Sequence, residues 1–112
     1  MLSTSSVVAF SATANPDAAR AFYRDALGLT LIHEDAYALV FQSGTQTIRV
    51  ARVREVVPAS YTVLGWQVAD IAAEVRTLTA RGVTFERYPF LEQDEQAIWH
   101  APTGAHRASR RR

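Results

Sequence analysis

Residues 15–31 read NPDAARAFYRDALGLTL, and this stretch decides the fold. Asn15 can accept a hydrogen bond from one of the unpaired N–H groups of a first helical turn. Pro16 suits the first helical position, where a missing N–H is no loss, and Asp17 sets negative charge against the positive end of the helix dipole. Ala18, Phe22 and Ala26 recur every fourth residue, flanked by Ala19, Tyr23 and Leu27, so one face is apolar. Gly28 then supplies the left-handed backbone that ends a helix, and Leu29-Thr-Leu begins a strand at once.

The same plan recurs downstream. Asp70 is a second helix cap, Ile71, Val75 and Leu78 come after it at helical spacing, Gly82 stops the helix, and Val83-Thr-Phe restarts a strand. A repeat of about 55 residues implies two copies of one supersecondary unit sharing a core. Around the first helix, residues 6–12 (SVVAFSA) read as a strand, and residues 29–33 and 37–42 as a hairpin turning at Glu34-Asp35. Residues 46–52 (QTIRVAR) alternate, with Ile48 and Val50 on one face and Thr47, Arg49 and Ala51 on the other. Residues 54–60 read as a linker because Pro58 cannot sit in a central strand. The second copy is expected to place strands at residues 61–68, 83–87 and 97–100, with an acidic loop at 88–96. The expected fold class is α+β: two βαβββ modules forming a curled mixed sheet with helices outside, the second incomplete at the C-terminus. Both modules, about 6–53 and 60–104, belong to a single domain, and the tail 105–112 is expected to be disordered.

Composition narrows the function. The chain has 112 residues, is 48% apolar and has no cysteine, which suits one domain, excludes disulfides and thiolate metal sites, and makes the cytoplasm the default location. No apolar run is long enough for a membrane span, and the first six residues do not read as a secretory signal. The net charge is +1, but four of the twelve arginines lie in the last eight positions. The first 104 residues therefore carry eight arginines against eleven acids, a balance of −3. That is the wrong sign for a nucleic-acid-binding face. There is no lysine, which reads as a coding bias.

The repeat, with Ala21-Phe-Tyr-Arg-Asp-Ala-Leu-Gly-Leu29 closing the first helix, resembles the vicinal oxygen chelate superfamily of glyoxalases, bleomycin- and fosfomycin-resistance proteins and extradiol dioxygenases. Residues 63–71 (VLGWQVADI), 78–83 (LTARGV), 93–99 (QDEQAIW) and 101–104 (APTG) carry the same likeness. The resemblance implies helices outside a curled sheet, a ligand cleft inside it, and commonly a homodimer. Metal-dependent members present His, Glu or Gln from four strands, a donor set suited to a divalent ion with open positions for substrate. The corresponding positions are Val8, Arg49 and Val63, and a fourth would need a final strand that is not expected here. Two valines and an arginine cannot hold a cation, so no cofactor is expected. The arginine-rich end stands where relatives continue with two strands, and it reads as a shifted or truncated frame or as a natural short form.

The expected function is metal-independent binding of a small molecule, with no nucleic-acid or membrane partner. The alternatives are a metal-dependent lyase or dioxygenase of the same superfamily, or a vestigial dimerising domain without a ligand. The expected ligand contacts are Arg49, Phe10, Gln67, Thr47 and Trp99. A guanidinium can grip a carboxylate, phosphate or enolate in a bidentate pair, although Arg49 could equally serve a salt bridge within the sheet or a dimer contact. Phe10 shares the inward parity of Val8, and Gln67 that of Val63, while either Phe10 or Trp99 could instead be packing. His33 beside Glu34 and Asp35 has the makings of a general base with an acidic orienter, but a solvated cluster is the ordinary reading at a hairpin turn.

Overall fold

The Asn15 side chain caps the first helix as its position predicts, its Oδ1 accepting the N–H of Ala18 at 3.1 Å. In the computed structural model, which describes residues 1–102 and 106–108, the chain runs from a short 3-10 turn (Leu2–Thr4) into strand β1 (Val8–Thr13) and helix α1 (Pro16–Arg20). The α1 rod continues through Ala21–Ala26 with the wider π spacing, the Leu27 N–H donating to the Phe22 carbonyl five residues back at 2.9 Å. Gly28 at φ +78° and the Leu29 N–H donating to the Tyr23 carbonyl at 3.0 Å then close it. Strands β2 (Thr30–Glu34), β3 (Ala38–Ser43) and β4 (Gln46–Arg52) come next.

These four strands make one curled, open sheet in the order β1-β4-β3-β2. The β2–β3 and β3–β4 pairs are antiparallel, and β1 lies parallel to β4. Helix α1 and its π extension cover one face. Tyr23 stacks on Phe41 with ring centroids 5.2 Å apart, and Ala19, Leu39, Ile48 and Val50 complete the buried cluster. The alternation of β4 is as expected: Ile48 and Val50 are buried against the helix, while Thr47, Arg49 and Ala51 lie on the other face. No helix among the described residues is long and apolar enough to cross a membrane.

The chain divides into two compact units, Met1–Gly65 and Trp66–Arg112. In the second, Asp70 caps helix α2 (Ile71–Ala80), accepting the Ala73 N–H at 3.1 Å, and Gly82 ends the turn after it at φ +91°. Val75 is buried, and Ile71 and Leu78 are half-buried. Strands β5 (Ile98–His100) and β6 (His106–Ala108) pair antiparallel.

Three expectations are corrected here. Residues 61–68 and 83–87 are not strands. A strand exists only with a partner, and β6, the counterpart of β4 in chain order, has three residues where β4 has seven. Among the described residues it pairs with β5 alone, and no described strand offers residues 61–68 a ladder to join. The third correction is the tail: residues 106–108 pair with β5, because backbone pairing needs no apolar side chains, and residues 105 and 109–112 lie outside the described residues.

Where residues 83–87 lack a ladder, one side chain stands in for it. The Gln93 amide donates to the carbonyls of Glu86 at 2.9 Å and Ala97 at 2.7 Å, and its oxygen accepts the Tyr88 N–H at 2.8 Å. Each such bond contributes about 1 kcal/mol net. Gln93→Ala is therefore expected to destabilise by about 2–3 kcal/mol, read as a shift in the urea midpoint. Gln93→Glu, which keeps the length but turns the donor end into an acceptor, should do no better than alanine. A glutamate variant of wild-type stability would show that residues 86–88 are held by something other than these bonds.

Candidate functional site

Pairing sets which side chains share the face of the first-unit sheet away from α1. Phe10 of β1 is opposite Arg49 of β4, Arg49 is opposite Val40 of β3, and Val40 is opposite His33 of β2. One cross-strand row thus reads Phe10, Arg49, Val40, His33. The next row reads Val8, Thr47, Gln42, Thr30. Directly paired residues point to the same side of a sheet. The face is uncovered along β1, where Phe10 is 65% exposed and Val8 47%.

Arg49 is half-buried in this row, and its side chain makes no hydrogen bond or ion pair with any described residue. The other arginines of the sheet and helix are engaged. Arg20 grips Glu34 through Nε at 2.8 Å and a second nitrogen at 3.2 Å, and it also meets Asp17 at 2.7 Å. Arg52 donates to the Asp35 carbonyl at 3.1 Å. Arg49 alone faces outward between Phe10 and Val40 with its donors unspent.

The remaining candidates are placed as follows. Thr47 lies on the same face as Arg49, beside Val8. Gln67 belongs to the second unit and is exposed, outside any helix or strand. Trp99 also belongs to the second unit, half-buried on β5, where it lines an open depression of about 560 Å³ together with Phe90, Glu92, Asp94 and His100. There His100 Nε2 lies 3.0 Å from Asp94 Oδ2, and this contact, with the N–H groups of Ile98 and Gln96, holds the Asp94 carboxyl below the usual range. Val63 is in the first unit, partly exposed and outside the ladder. The structure thus brings together Phe10, Thr47 and Arg49.

Sequence reasoning placed His33 at the end of a strand, beside a hairpin turn. It lies within β2, where the register shifts between Leu31 and His33. The inserted Ile32 is a β-bulge, and it reverses the parity of the residues after it. Leu31 and Glu34 face the helix, where Glu34 meets Arg20, and His33 turns to the Arg49 face. No residue pattern announces this bulge, so strict alternation would put His33 on the wrong side.

Asp35 anchors the hairpin after β2. Its Oδ1 accepts the N–H groups of Tyr37 at 2.7 Å and Ala38 at 2.9 Å, and its Oδ2 lies 2.9 Å from His33 Nε2. The Tyr37 N–H, then His33, then the Ala38 N–H pull its pKa from 3.8 down to about 2. An acid with a depressed folded-state pKa binds fewer protons folded than unfolded between those values, so it stabilises above them. That stability is lost as pH falls from about 4 to about 2. Asp35→Ala is expected to flatten this limb of a stability-against-pH curve measured by urea titration. An unchanged slope would mean that the contacts do not hold the carboxylate.

A family model described as the glyoxalase/bleomycin resistance protein/dioxygenase superfamily matches residues 7–98. The chain belongs to this superfamily. Among solved structures, a bleomycin resistance determinant encoded on transposon Tn5 is similar at a TM-score of 0.71 and 18% identity, covering 96% of this chain and 88% of that one. A glyoxalase family protein from Enterococcus faecalis is similar at 0.60 and 18%, covering 99% and 100%. A lactoylglutathione lyase from Agrobacterium tumefaciens is similar at 0.59 and 20%, covering 94% and 83%. No curated protein sequence matches the chain. At these identities the likeness to solved structures establishes the glyoxalase/bleomycin resistance fold and leaves chemistry to the residues. At the positions to which the resemblance assigns metal ligands stand Val8, Arg49 and Val63, and none of these side chains offers a lone pair to a cation. Among the described residues no group of three His, Cys, Asp or Glu side chains converges.

Proposed function

We propose that this superfamily member is a metal-independent small-molecule-binding protein that holds an anionic ligand on the helix-free face of its first-unit sheet. One observation carries the reading: Arg49 is half-buried in the middle of that face with no partner among the described residues. Desolvating a guanidinium is unfavourable unless something answers its donors, and a carboxylate or phosphate answers them in bidentate geometry. Phe10 and Val40 on either side provide apolar surface for the ligand body, and Thr47 adds a hydroxyl one row away. The non-donor side chains of Val8, Arg49 and Val63 support binding without a metal, and a bleomycin resistance determinant shares the fold. The lack of cysteine is compatible with a cytoplasmic setting. The outer edges of β1 and β2, unpaired among the described residues, are compatible with a homodimer of single-domain chains.

A thermal-shift panel of carboxylates, phosphates, neutral aromatics and organic cations tests this reading. A ligand at ten times its Kd stabilises by about 1.4 kcal/mol, a Tm rise of about 5 °C for a domain of this size. Anionic members are expected to give such shifts with the wild-type chain and none with Arg49→Ala. Equal shifts in both proteins, or none in either, would overturn the anion site. Stoichiometric metal in protein purified without chelator would overturn metal independence.

A further inference from the structure

The bulge in β2 gives the Arg49 row a second ionisable member. His33 is opposite Val40, which is opposite Arg49, so the imidazole and the guanidinium share one face two strand spacings apart, about 10 Å between backbones. The imidazole is aimed as well as placed. Its Nε2 is tied to Asp35 Oδ2 at 2.9 Å, and that carboxylate is held by two backbone N–H groups. Its Nδ1 makes no bond with any described residue, and the side chain is 59% exposed.

With a carboxylate on Nε2, the proton of the neutral ring sits there and Nδ1 is an acceptor. When the ring gains a proton, Nδ1 becomes a cationic donor. The charged groups around it are few. Asp35 lies on its own hairpin, and Arg49 on β4 shares its row. Arg52, also on β4, reaches the Asp35 carbonyl and lies 3.9 Å from Glu34. Strand β3 contributes no charge, and Glu34 and Arg20 meet on the helix side.

We propose that this face selects a dianionic organic ligand, one anionic group on the Arg49 guanidinium and the second on the protonated His33, with the body lying over Val40. The inference rests on Arg49 as the primary anion contact and adds the class of ligand and its pH dependence. Isothermal titration with α,ω-alkane disulfonates from ethane to hexane, each beside its monosulfonate, tests it, because these probes stay ionised across the range needed. At about pH 5.5 the best disulfonate is expected to bind at least tenfold tighter than its monosulfonate, narrowing to about threefold or less near pH 8.5. His33→Gln should remove the pH-dependent advantage and keep monosulfonate affinity. A disulfonate advantage indifferent to pH and to His33→Gln, with monosulfonate binding still lost in Arg49→Ala, would overturn the dianion inference and leave the Arg49 site standing. Sulfonate binding that survives Arg49→Ala would overturn both.

Discussion

Phe41→Ala is expected to lower the unfolding free energy by about 3–5 kcal/mol. Phe41 has no exposed surface, stacks on Tyr23 at 5.2 Å, and sits in the row that also holds Ile48 and Leu31. Truncation removes its transfer free energy and leaves a cavity between sheet and helix that neighbours fixed by the ladder cannot refill. A small domain has only about 5–15 kcal/mol to lose, so this one change approaches unfolding at room temperature. The urea midpoint of the variant reads it. Phe10→Ala is the matching control, a phenylalanine of the same sheet that is 65% exposed, and it should stay within about 0.5 kcal/mol of wild type. If both variants lose comparable stability, the face carrying Phe10 is packed and closed to a ligand.

Arg49→Ala is expected to weaken the tightest anionic ligand by roughly thirtyfold or more, the effect of truncating one partner of a desolvated, hydrogen-bonded charge pair. Arg49→Lys keeps the charge and gives up the planar fork, so it should fall between alanine and wild type. Without ligand the alanine variant should be as stable as wild type, since Arg49 has no partner to lose among the described residues. Titration calorimetry and a ligand-free melt together separate the two roles. A variant that loses stability while binding normally would make Arg49 a scaffold residue.

The first helix and the fourth strand were readable from residues alone, because the signals there are local. Asn15, Pro16 and Gly28 act within a turn of themselves, and the alternation around Ile48 and Val50 reports burial directly. The superfamily was legible in the same helix. The site was only partly readable. Arg49, Thr47 and Phe10 share a face by parity, but that Arg49 is unpartnered depends on where Glu34 points, and Glu34 is claimed by Arg20 only because Ile32 bulges. A bulge is set by packing on both sides of a strand, which no short window of sequence contains. The second unit failed for a related reason. Residues 61–68 have strand composition, yet a strand needs a neighbour to pair with, and no described strand lies alongside them. Gln93 was read as one member of an acidic loop, and only its three bonds reveal its part in holding residues 86–88.

The parallel pairing of β1 with β4 bears on how the chain assembles. The Val7 N–H reaches the Gln46 side chain 39 positions later, and every ladder partner of β1 lies beyond residue 46. Strands β2, β3 and β4 are joined by tight connections and can zip together as a local meander, whereas β1 must wait and close the longest loop of the unit. On a ribosome, the segment bearing Phe10 emerges well before β4, the strand it must pair with. The face proposed for ligand binding is therefore the final part of the unit to form, and it exists only once Arg49 has left the exit tunnel.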